Sequence, residues 1–143
     1  MNLDPAATQQ PPTVTVHGLL QAERALSIGS PVRLLSARGA AGVGGCGWWM
    51  NLVKAARQTH PRTPCTDLLD CGDAPGLAMA ALRIGQRHLV LHPCPAFAAV
   101  TAAAATLGAV VLPTRPPTLD LDERNADRRL GAWLTRDTTR SLG

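Results

Sequence analysis

The apolar residues of this chain fall into short blocks separated by amphipathic stretches of helical length. Residues 32–37 (VRLLSA), 65–71 (CTDLLDC), 88–92 (HLVLH) and 110–112 (VVL) are apolar runs of strand length, and 13–16 (TVTV) reads as a short edge strand. Between them, 17–28, 48–59, 76–84 and 96–107 fit helices, the first with Leu19, Leu20 and Leu26 on its apolar side. Gly29, Gly85 and Gly108 stand where three of these helices should stop, and Pro61 and Pro64 close another. A last helix is expected from an Asp122 cap to Leu134. Ala126, Leu130, Trp133 and Leu134 share one of its faces, and Trp133 should pin it to the domain.

The second half repeats itself. Leu68, Leu89 and Val110 are spaced by 21 residues, and so are Leu69, Val90 and Val111. Proline at or near the start of a helix and glycine just past its end follow the usual asymmetry. Strands alternating with helices of this length imply crossover connections and a parallel sheet. The expected fold is a small three-layer α/β sandwich with a mostly parallel sheet of four to five strands. It occupies 14–134 as a single domain, between a mobile arm (1–13) and a frayed tail (135–143).

Composition narrows the function classes. Hydrophobic residues make up 45% of the chain but aromatics only 3%, so the core must be built from Ala, Leu and Val. The net charge of +4 comes from scattered arginines without a basic run, and few rings are present to stack on bases. Nucleic acid is therefore not an expected partner. The longest apolar stretch, 96–112, is interrupted by Thr101, Thr106 and Gly108 and falls short of the ~20 continuous residues of a membrane span. The first residues lack the basic and apolar regions of a signal peptide, which makes a cytoplasmic location with reduced cysteines the default.

In an open parallel sheet, ligands bind outside the carboxyl ends of the strands. Gly42, Gly44 and Gly47 stand there in G-x-G-x-x-G spacing, after a strand and before a helix. Asp70 follows at a distance that suits a ribose-binding carboxylate. Against this, the loop is long, and Trp48 and Trp49 are bulky where a cofactor needs room; a structural turn is the simpler reading. Cys46, Cys71 and Cys94 each follow a different strand, with His92 beside Cys94. Together they could bind zinc or supply a low-pKa thiol. No C-x-x-C pair supports that, so buried core thiols are the simpler reading and no metal is expected. Asp73 reads as a helix cap, and Arg115 lies just beyond the last apolar strand.

Trp48 and Trp49 are adjacent on a helix and cannot both face the core: packing of both against the N-terminal helix is the simpler reading, and a surface for a second copy or another protein is its rival. Two functions remain in view. One is an α/β binding or protein-interaction module without catalytic activity. The other is a nucleotide- or phosphate-ligand-binding enzyme using the loop 39–47 with Asp70, Asp73, His92, Cys94 and Arg115. No motif names a cofactor.

Overall fold

The computed structural model describes residues 10–142, with side chains through residue 135. In chain order it builds β1 (Thr13–Thr15), α1 (Leu19–Ser27), β2 (Val32–Leu35), α2 (Ala40–Val43), α3 (Cys46–Thr59) and β3 (Cys65–Asp70). There follow α4 (Pro75–Arg83), β4 (His88–Val90), α5 (Phe97–Thr106), β5 (Val110–Leu112), β6 (Thr118–Asp120) and α6 (Ala126–Leu142). Of the arm expected over 1–13, residues 1–9 lie outside the described residues and Thr13 belongs to β1; the side chains of the expected tail from 136 onward also lie outside them.

The six strands form one all-parallel sheet in the order β5-β4-β3-β2-β1-β6. From β1 to β5 each strand lies beside its predecessor, so each helical segment lies between sequence neighbours. The chain then leaves one edge at β5 and reappears at the other as β6, which pairs with β1 (Thr13 with Thr118, Thr15 with Asp120). The sheet is thus larger than the four to five strands expected, and β1 is an interior strand instead of an edge. The missing strand is only three residues long, and its single apolar residue, Leu119, gives no periodicity to read.

Helical and sheet residues meet in one main core. Val14, Leu34, Leu69, Leu89, Val111 and Leu119 point into it from the six strands. Ala25, Trp49, Ala81, Val100 and Leu130 enter it from five of the helices, and α2 adds Ala41. Small residues at helix contacts let these elements approach the sheet closely. Each buried Leu or Val contributes roughly 1.5–3 kcal/mol through removal from water. Leu35, Leu68 and Val90 are equally buried but belong to a separate cluster, joined by Leu112. Six helices with the six-stranded parallel sheet agree with the small three-layer α/β sandwich expected from the sequence.

Several details depart from the sequence reading for local reasons. On α1 the inward stripe is Ala22, Ala25 and Leu26, whereas Leu19 and Leu20 turn outward. The repeat of 21 is an average: Leu69 pairs with Leu89 and Leu89 with Val111, offsets of 20 and 22. The last helix begins at Ala126 and not at Asp122, because Asn125 takes a left-handed φ of 62° and Asp122 is engaged elsewhere. Trp133 does fasten this helix: its indole N–H donates to the Thr13 carbonyl at 2.8 Å.

Candidate functional site

The carboxyl ends of the strands converge on Asp70, which is fully buried at the end of β3. Its Oδ1 accepts from the backbone N–H of Gly39 at 3.1 Å and of Gly72 at 2.7 Å. Both glycines have left-handed φ, 63° and 61°, which is what turns their N–H groups onto one oxygen. A Cβ on Gly72 would also lie 3.8 Å from the Gly39 backbone. The Asp70 Oδ2 accepts from Arg115 Nη1 at 2.7 Å. Arg115 also donates to the Ser36 carbonyl at 3.0 Å and to Thr15 Oγ1 at 3.1 Å. The Ser36 hydroxyl in turn accepts the Asp70 N–H at 2.9 Å. One side chain from the β5–β6 connection thereby ties together the ends of β1, β2 and β3. Two residues expected to meet a ligand thus meet each other.

The glycine-rich loop is wound up on itself. Its Ala40, Gly42 and Gly44 N–H groups donate to the carbonyls of Ala37, Gly39 and Ala40, forming the short α2. The Trp48 ring lies against Gly44, where an added Cβ would come within 2.8 Å of it. Gly42 faces Leu77, while the space around Gly47 is open. No side chain caps α3 and no acidic residue stands in its first turn. Trp49 is fully buried, donating to Asp67 Oδ2 at 2.9 Å, so only Trp48 turns outward, 39% exposed. Val43 beside it is 91% exposed.

Cys71 is buried, while Cys46 and Cys94 are half-buried and packed on the core. Burial, aided by the nearby Cys46 thiol and Asp70, pushes the Cys71 thiol up to about 12. Desolvation also raises Cys46 and Cys65. None of these three is a poised nucleophile at neutral pH. His92 is half-buried, its backbone N–H bound to the Gly72 carbonyl at 2.8 Å. Among the described residues, Cys46, Cys71, Cys94 and His92 do not converge as a metal-holding group. Asp73 is exposed and caps nothing: Ala74 occupies the cap position of α4, without a side-chain cap bond.

Two places escaped the sequence reading. At the amino edge, Met50, Arg57, Asp67, Gln86, Arg87 and His88 line part of a cleft of about 270 Å³. Its one carboxylate, Asp67, is spent on Trp49, Gln86 and Arg57. The second place is where β1 and β6 end side by side. There His17 Nε2 lies 2.7 Å from Asp120 Oδ1, and His17 Nδ1 lies 3.4 Å from Asp122 Oδ2. Searching just past every strand would have found His17, directly after 13–16, while its partner Asp120 ends β6, which the sequence did not reveal. Among the described residues no buried side-chain nitrogen or oxygen lacks a hydrogen-bond partner. Neither protein-family models nor curated proteins match this chain.

Proposed function

We propose that the protein is a binding module without catalytic activity, docking a protein partner through the lobe formed by Val43 and Trp48. The observation that carries this reading is the state of Asp70. A parallel α/β enzyme needs open functional groups at the carboxyl ends of its strands. Here the central carboxylate is enclosed, and both its oxygens are taken by Gly39, Gly72 and Arg115. In the neighbouring glycine loop the Ala40, Gly42 and Gly44 N–H groups are bonded within the loop. What this loop and the start of α3 offer outward is apolar: Val43, and the exposed part of the Trp48 ring. An indole set among small residues is a favoured anchor in protein interfaces.

A second reading, a phosphate-containing ligand at the start of α3, has one observation in its favour. The helix opens with uncapped N–H groups beside Gly47, where there is room. A thermal-shift panel of nucleotides, phosphosugars and inorganic phosphate separates the two. No stabilisation at millimolar concentration is the expected result. A nucleotide that stabilises the fold overturns the interaction module, since a ligand at 100 times its Kd adds about 2.7 kcal/mol. Sedimentation equilibrium of the wild type and of Val43→Asp then identifies the partner. A dimer lost in the variant means a second copy, and a monomer throughout rules a second copy out.

A further inference from the structure

We propose that His17, Asp120 and Asp122 form a binding site for a divalent transition-metal ion of the zinc type. The three residues come from the carboxyl ends of two adjacent parallel strands, β1 and β6, and their ligand atoms all lie within 4.8 Å of one another. Asp120 Oδ1 and His17 Nε2 are 2.7 Å apart. A zinc ion about 2.1 Å from each, at a tetrahedral angle, would hold them about 3.4 Å apart. Exposed side chains can open by that much, so the ion would replace the proton now shared between them.

The charge balance points the same way. Two carboxylates face one imidazole, and among the described residues neither carboxylate is paired with Lys or Arg. Even a protonated His17 leaves one negative charge over, and a neutral one leaves two. A dication fits that deficit. Imidazole nitrogen favours zinc-type ions over calcium and magnesium, which take oxygen ligands.

The surroundings are ordered as an outer shell would be. Gln21 on α1 donates to Asp122 Oδ1 at 2.8 Å while its carbonyl oxygen accepts the His17 N–H at 2.8 Å. Asp122 N–H donates to Asp120 Oδ1 at 2.9 Å. Asp122 is thus aimed at the histidine and not at the helix that follows it. Three protein ligands with solvent on the fourth side make an open coordination sphere. The inference stands independently of the interaction module proposed above.

The test is metal titration of the full chain, stripped with a chelator, using Zn²⁺ by calorimetry and Co²⁺ by visible absorption. We expect one ion per chain, no response to Mg²⁺ or Ca²⁺, and a cobalt spectrum without thiolate charge transfer. Binding should disappear in His17→Gln and in Asp120→Asn. It should weaken roughly tenfold in Gln21→Ala, the usual effect of losing an outer-shell partner. Circular dichroism of each variant establishes that it is folded, and Asp122→Asn is the substitute for any that is not. Absence of zinc binding by the wild type overturns the proposal, leaving an ion-pair latch. So does binding that survives these substitutions, or a thiolate band tracing the ion to Cys46, Cys71 or Cys94.

Discussion

Asp70 is held by two backbone N–H groups and one guanidinium, all at a point closed to solvent. Removing one partner from such a pair costs more than the pair itself contributes, because the other charge stays buried without compensation. Arg115→Met should therefore destabilise the fold by about 3–5 kcal/mol in urea unfolding. The double variant Asp70→Asn with Arg115→Met should lose clearly less than the two single losses added, since it strands no charge. Equal and additive losses would mean that Arg115 acts only by packing. Cys71 supplies a pH signature at the same scale. Its thiol ionises near 9.0 when free and at about 12 in the fold. Between those values the native state keeps a proton that the unfolded chain has lost, so stability falls as pH rises through this window. The slope from this group is at most about 1.4 kcal/mol per pH unit, and its contribution is flat below pH 9. Unfolding curves from pH 8 to 11 should show the decline, and Cys71→Ala should remove this part of it.

At the scale of elements, the junction of α2 and α3 is where a small change should be seen most directly. Gly44→Ala places a methyl group within 2.8 Å of the Trp48 ring. Because that ring is already partly exposed, it can swing outward, and the cost should stay near 1–2 kcal/mol. Tryptophan emission should shift to the red, and the shift should vanish when Trp48→Phe is combined with Gly44→Ala. An unchanged spectrum would mean that the loop moves instead of the ring. This junction also marks how far the sequence could be read. Five strands and the longer helices between them were legible, because buried parallel strands are continuous apolar runs punctuated by proline and glycine, whereas the short α2 read as a loop. β6 was not legible, having one inward residue, Leu119. Without it, β1 looked like an edge, and the His17 cluster had no visible partner. The strand-end rule did pick out Asp70 and Arg115, but spacing alone could not reveal that the two bind each other. That depends on a connection carrying residue 115 from one edge of the sheet toward the other.

For the whole molecule, the strand order separates local from distant construction. Each pairing from β1 through β5 joins successive strands, whereas β6 returns to β1 across 105 residues of sequence, as Thr13 with Thr118. Closing long loops costs entropy before the contact rewards it, so local pairings should form first and β6 with α6 should dock late. A substitution in a late element accelerates unfolding and leaves folding almost unchanged, while one in the nucleus slows folding. Leu119→Ala and Leu69→Ala both empty fully or almost fully buried positions in the same core cluster, each at a cost of about 2–5 kcal/mol. Leu119→Ala should express that loss in the unfolding limb of the chevron, and Leu69→Ala, in central β3, should express much of it in the folding limb. Stopped-flow kinetics of the two variants decide the order. Slower folding in Leu119→Ala would mean that the β1–β6 pairing belongs to the nucleus. In that event the latch at Arg115 would guide the chain into its fold instead of fastening it afterwards.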